Sequence, residues 1–346
     1  MAILDNTIVN GNLSTTDSIR MRGVLVATQD DLVPIKNGIK GIVERSLTTI
    51  SANILMGATH IGGYAFAYYS TLTGITFPST ITSIDEYAFY YSGIASATIQ
   101  SGLVTIGNYA FGYCSSLESI SLPNSVQTIG SYSFRNCTSL TSITIGSGVT
   151  SIGSSAFINS SNIASVYYNG TVASWCGITF GNNNSNPVSI AKNLYINNQQ
   201  VTSLVIPNTV TEIKSYAFYY FNTMTSLSIG TGVTDIGSSA FYYCSGLTSL
   251  SIPNNVVNIK SSAFARCGGL TTITIGTGVR TIETYAFQYC NNLTRITINA
   301  TNPPDLANTN AFSNTNSCDI YVPRGTLAAY QSATNWASFS SRLKEM

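Results

Sequence analysis

Six tyrosines, Tyr68, Tyr91, Tyr113, Tyr220, Tyr243 and Tyr289, each follow a phenylalanine by two residues. A second six, Tyr64, Tyr87, Tyr109, Tyr132, Tyr216 and Tyr285, each precede one by two. A phenol ring has an apolar body and a polar tip, so rows of such rings suit non-covalent recognition of sugars or protein partners. The same rows could instead cover the corners of a repeating fold and contribute only stability. The sequence leaves both readings open.

Bond-making chemistry has far less to work with. There is one histidine, His60, and no serine or cysteine can be paired to it from spacing. The adjacent carboxylates Asp30-Asp31 and Asp85-Glu86 would point to opposite faces of a strand, which does not suit acid–base work. No nucleotide-binding glycine motif and no calcium loop of clustered aspartates is present. Five of the seven cysteines, Cys114, Cys137, Cys244, Cys267 and Cys290, follow a phenylalanine by three; Cys176 and Cys318 lie elsewhere. An odd count and parallel side-chain directions disfavour disulfides, and no C-x2-C pair or histidine partner suits a metal. The expectation is a column of small buried thiols. No catalytic residue, metal or cofactor is expected.

These residues are placed by a repeat. Ala-Phe recurs at Phe66, Phe89, Phe111, Phe157, Phe218, Phe241, Phe264, Phe287 and Phe312, with a Ser133-Phe134 variant. Within each of two arrays the steps are 22 or 23 residues, the last being 25, and an isoleucine lies five residues before nine of the ten. Each unit reads Leu-x2-Ile-x-Ile-Pro-x2-Val-x2-Ile-x3-Ala-Phe-x2-Cys, as in Leu117, Ile120, Leu122, Pro123, Val126, Ile129, Phe134 and Cys137. The Ile-x-Leu end has the period of a strand, and Pro123-Asn124 ends it. One unit cannot bury its own apolar residues. Units stacked about 4.8 Å apart can, by setting each side chain on its counterpart. The expected architecture is mainly β: a solenoid of about ten coils of 22–23 residues, with an irregular central insert and a C-terminal capping helix.

Composition narrows the partners. The chain has 346 residues, 44% hydrophobic and only 8% charged, with a net charge of +1. No run of Lys and Arg offers a nucleic-acid footprint, and no apolar run approaches the ~18 residues that span a bilayer. The surface must be Ser, Thr, Asn, Gly and Tyr, which suits uncharged partners such as glycans or proteins. The N-terminal residues lack the basic start, apolar core and cleavage site of a secretory leader.

The words "LTSLSIPNNVVNIKSSAFARC", from Leu247, and "LESISLPNSVQTIGSYSFRNC", from Leu117, resemble the BspA-like leucine-rich-repeat family of bacterial surface proteins. The likeness runs over roughly residues 45 to 346 and agrees in both order and period. It implies a solenoid with a parallel sheet, usually in exported adhesive proteins, and implies no enzymatic activity.

Three segments depart from the period. Residues 1–44 read as a β-rich attachment segment with a hairpin turn at Asn10-Gly11, similar to material near the attachment ends of bacteriophage fibre proteins. The solenoid is expected over 45–325, its first coil formed by Leu47, Ile50, Ile54 and Leu55. Its insert, about 164–200, carries a hairpin signal at Asn169-Gly170 and reads either as an extended coil that preserves the stack or as a recognition element. Leu327, Tyr330, Ala333 or Thr334, Ala337 and Leu343 recur at helical spacing, so 326–346 is expected to be a capping helix.

The leading functional expectation is a non-enzymatic, surface-displayed binding protein whose repeat face contacts a host glycan or protein. The absence of a leader pattern favours a bacteriophage virion component held through residues 1–44, where a virion structural protein would be the partner. A bacterial cell-surface adhesin, a purely structural assembly element and a homo-oligomer all stay open.

Overall fold

Residues of the repeat alternate between core and outside, and the chain folds accordingly. In the computed structural model, which describes residues 48–52, 55 and 58–346, the coils group into two compact units divided between Gly170 and Thr171. The expectations for residues 1–44, and for Leu47 and Ile54, lie outside the described residues. Ile50 and Leu55 are buried.

In the first unit, strands Thr49–Ile50, Gly74–Phe77, Ser96–Ile99, Ser119–Ser121, Ser142–Ile145 and Ser165–Tyr168 pair in parallel. Register sets Ile75, Ala97, Ile120, Ile143 and Val166 in one line. A second parallel sheet of two-residue strands aligns Ile61, Ile84, Ile106, Ile129 and Ile152. Between the two sheets the phenylalanine rings stack face to face, with centroids 5.2, 5.1, 5.4 and 5.4 Å apart from Phe66 to Phe157.

The second unit repeats the plan. Its long strands Ser249–Ile252, Thr272–Ile275, Arg295–Ile298, Asp319–Val322 and Leu343–Glu345 form one parallel sheet, and Ser203–Ile206 pairs with Ser226–Ile229. Short strands align Ile213, Ile236, Ile259, Ile282 and Leu306. Phe218, Phe241, Phe264, Phe287 and Phe312 stack at 5.1–5.6 Å. The ten Phe landmarks undercount the coils, because Ser165–Tyr168 and Asp319–Val322 are regular long strands followed by no Ala-Phe.

The insert holds two short helices, Val172–Cys176 and Val188–Ala191, and a hairpin, Leu194–Ile196 with Gln199–Gln200. The hairpin turn is Asn197-Asn198, both with positive φ, as a tight two-residue turn requires. It is not at Asn169-Gly170: the Asn169 N–H bonds Ile145 O, continuing the parallel ladder, and Thr171 then caps a helix through a capping box with Ser174.

The insert also supplies donors. In a regular coil the carbonyl before the phenylalanine accepts from the previous coil, as Ala88 O does from Phe66 N. At Ala217 O the donors are instead Trp175 Nε1 at 2.7 Å and Asn186 Nδ2 at 2.8 Å.

The C-terminal segment does the same at the other end. Leu327–Ser332 is helical, but Ala333 turns extended (ψ 144°) and ends the spiral, so the helix is shorter than the 326–346 span expected. Trp336 Nε1 then donates to Pro304 O and Asn335 Nδ2 to Leu306 O, each at 2.7 Å. Leu343 extends the line of Ile273, Ile296 and Ile320 as a strand. Both tryptophans of the chain thus serve carbonyls that a neighbouring regular coil would have satisfied.

Candidate functional site

Each coil has a third side, running through the phenylalanine, whose backbone alternates between right- and left-handed turns. The residues two before and two after the phenylalanine both take positive φ, as Tyr87 (58°) and Tyr91 (57°) do around Phe89. This conformation disfavours any residue with a Cβ by roughly 1–2 kcal/mol. It is held by hydrogen bonds that turn alternate N–H groups into the next coil: Tyr68 N to Tyr90 O at 2.7 Å, Tyr113 N to Arg135 O at 2.6 Å. Asparagine, which tolerates this conformation best, takes the later position at Asn136, Asn159 and Asn314. Tyrosine takes it at the six residues singled out from the sequence.

Consecutive tyrosines therefore stack. In the first unit Tyr68, Tyr91 and Tyr113 form one row, with centroids 5.6 and 4.4 Å apart and rings within 12° of parallel. Tyr64, Tyr87, Tyr109 and Tyr132 form a second row at 4.8 Å spacing. Tyr90 wedges edge-on between them, 5.1 Å from Tyr87 and 4.8 Å from Tyr91. Arg135 lies 5.5 Å above both Tyr113 and Tyr132, closing the two rows at one end. In the second unit Tyr220 and Tyr243 stack at 4.5 Å, Tyr219 and Tyr242 at 5.0 Å. Tyr289 stands one coil beyond Arg266, whose guanidinium covers its ring at 4.6 Å.

This stacking decides what the rows can offer. Ring faces inside a row are covered by their neighbours, so they do not supply open flat platforms. Ring edges and hydroxyls are left as the contact groups, once in each coil that carries a tyrosine there. Tyr68, Tyr91, Tyr285 and Tyr289 are exposed, whereas Tyr113, Tyr220 and Tyr243 are half-buried. Among the described residues, the Tyr220, Tyr243 and Tyr289 hydroxyls have no hydrogen-bond partner. Desolvation, with neighbouring phenols second, pushes Tyr90 up from 10.0 to about 12, and desolvation likewise raises Tyr64, Tyr87 and Tyr220. These hydroxyls stay neutral and able to donate at any physiological pH.

Phenols directly after the phenylalanine, Tyr90, Tyr219 and Tyr242, belong to the same surface and escaped the sequence reading. The recurrent Phe-Tyr-Tyr at 89, 218 and 241 was the available signal. The cations Arg135, Arg266 and Lys192 escaped too, because each falls in only one coil.

The reactive groups remain apart from any such surface. All seven cysteines are free and buried. Five donate their thiol to the phenylalanine carbonyl of the preceding coil, Cys137 to Phe111 at 3.1 Å and Cys267 to Phe241 at 3.2 Å among them. Ser160 occupies the equivalent place and donates to Phe134 O at 2.6 Å, so the column is selected for a small donor. Burial pushes Cys114 up from 9.0 to about 12, which removes its nucleophilic form. His60 contacts Thr59 Oγ1 through Nδ1 at 3.3 Å, and Asp85 accepts from Ser83. Among the described residues no cluster of three or more His, Cys, Asp or Glu could hold a metal, and no helix is long and apolar enough to cross a membrane.

A parallel array of short strands with an internal leucine, isoleucine and phenylalanine core is a leucine-rich-repeat solenoid. The chain belongs to the family described as BspA type leucine rich repeat region, whose model matches residues 45–186 and 188–332. No curated protein sequence matches it. A leucine-rich repeat protein from Eubacterium ventriosum is similar in structure, with 24% identity, a TM-score of 0.50, and coverage of 87% of this chain and 77% of that one. The pneumococcal vaccine antigen PcpA is similar at 20% identity and TM-score 0.50, with 83% of each chain covered. A leucine rich cell surface protein from Faecalibacterium prausnitzii shares 23% identity at TM-score 0.46, over 82% of this chain and 86% of that one. At these identities the likeness is one of fold.

Proposed function

We propose that this chain is a non-enzymatic binding protein displayed on a bacterial surface, and that its tyrosine rows contact a hydroxyl-rich host or environmental partner. The observation that carries the reading is the repeated edge of neutral tyrosyl hydroxyls, held in a backbone conformation that costs free energy at every copy. A row kept only for stability would be served by asparagine, which already fills the same place in three coils. The family, together with the fold shared with a vaccine antigen, supports display at a surface. Placement in a virion rests on residues 1–44, which lie outside the described residues.

Immunogold labelling of intact, unpermeabilised cells tests the display. Label confined to the outer envelope is the expected result. Label appearing only after permeabilisation would refute it, and label on released phage particles would move the protein to a virion.

A further inference from the structure

We propose that the edge of the second unit formed by Lys192, Tyr220, Tyr243, Arg266 and Tyr289 binds a linear acidic polysaccharide, one whose sugar units carry carboxylates. This rests on the tyrosine rows being the contact surface, and adds the charge of the ligand.

The order along the edge comes from the stack. Lys192 Nζ lies 4.5 Å from the Tyr220 ring, Tyr220 stacks on Tyr243 at 4.5 Å, and Arg266 takes the next coil's place before Tyr289. Arg266 is a tyrosine-row residue in every structural respect: it has φ 60°, and its N–H bonds Gln288 O at 2.7 Å. Its guanidinium rests on Tyr289 and makes no ion pair or hydrogen bond among the described residues. A guanidinium spread on a ring keeps its N–H groups turned outward and able to grip a carboxylate.

Charge in this unit is sorted. From each phenylalanine to six residues beyond it, the five Ala-Phe coils hold one ionisable group of either sign besides tyrosine and cysteine, Arg266. Three carboxylates of the unit, Glu212, Asp235 and Glu283, stand before the phenylalanine and are engaged there. Glu212 pairs with Lys214 and Lys260, Asp235 accepts from Thr234 and Asn258, and Glu283 accepts from the Ser261 N–H. The edge is therefore cationic at intervals and otherwise built of neutral hydroxyls.

That pattern selects the class of ligand. Protein partners are anchored by side chains that fill desolvated pockets, and here the covered ring faces leave no pocket between tyrosines. A polysaccharide instead presents hydroxyls along its length, which the phenols can meet coil by coil, with an occasional carboxylate for Arg266 and Lys192. Few cations, widely spaced, match a polymer whose charge is diluted by hydroxyls.

The test uses the full chain, with polygalacturonate, neutral dextran and poly-glutamate as probes in biolayer interferometry. Polygalacturonate is expected to bind, and to weaken in about 1 M salt, where the screening length falls to about 3 Å. Arg266→Gln and Lys192→Gln should each weaken it about threefold, and together about tenfold. Lys260→Gln, at the opposite corner, should leave binding unchanged. Unfolding midpoints of all variants confirm the fold. Absence of polygalacturonate binding overturns the proposal, as does equal binding of poly-glutamate. Dextran binding that Tyr243→Asn abolishes but Arg266→Gln and salt leave intact would also overturn it, while sparing the tyrosine rows. Polygalacturonate binding lost with the cations but kept in Tyr243→Asn would refute the rows as contact surface and leave the charge assignment standing.

Discussion

Tyr220 and Tyr243 lie 23 residues apart in the chain and stack at 4.5 Å with their rings 6° from parallel. Each covers a face of the other, and each leaves its edge and hydroxyl as the contact groups. The pair condenses the protein's design: a period in sequence becomes a column in space, and a column converts single phenols into a hydroxyl comb.

Tyr243→Asn should therefore fold. It removes a stacked pair worth about 0.5–1.5 kcal/mol, but asparagine is at ease with positive φ and already holds this position at Asn136 and Asn159. Thermal unfolding should shift by only a few degrees. A collapse of the native state would mean that the ring carries the coil.

The column before the phenylalanine contains one misfit. Ser133 replaces the alanine found in the other coils, and its buried Oγ has no hydrogen-bond partner. An unsatisfied buried hydroxyl costs about 1–3 kcal/mol. Ser133→Ala should raise stability by about 1 kcal/mol in urea unfolding, an unusual direction for a core substitution.

At the C-terminal end, Trp336→Phe keeps a ring over Phe312 but deletes the donor to Pro304 O. Loss of about 1–3 kcal/mol is expected from the stranded carbonyl and the lost ring volume. Chemical denaturation of the variant measures it.

Alkaline pH should unfold the chain early. Burial raises Cys114 and Cys176 from 9.0 to about 12 and Tyr90 from 10.0 to about 12 in the native state. Above pH 9 to 10 the unfolded chain has released protons that the folded chain still holds. Stability is full below those values and falls as pH rises towards about 12. Denaturant midpoints measured between neutral pH and pH 11 should decline monotonically above 9, and a flat profile would contradict the buried columns.

The coils were legible because their signal is a repeat, and register follows once Ile61 must meet Ile84 or Phe241 must meet Phe264. What surrounds them was not. Whether a tyrosine shows its face or its edge depends on the left-handed backbone at Tyr91 and Tyr243, and no period in residue type reveals the sign of φ. The roles of Trp175 and Trp336 depend on which carbonyls lack a neighbouring coil, a fact about ends that the repeat itself cannot carry. Helical spacing from Leu327 to Leu343 likewise hid the end of the helix at Ala333, beyond which Leu343 is a strand residue that completes an isoleucine line.

The most direct test of the tyrosine comb as the binding edge is attachment of the fluorescently labelled full chain to its target surface, compared with the triple variant Tyr220→Asn, Tyr243→Asn and Tyr289→Asn. With unfolding midpoints showing both proteins folded, the account predicts that the variant loses attachment. Undiminished attachment by the folded variant would contradict it.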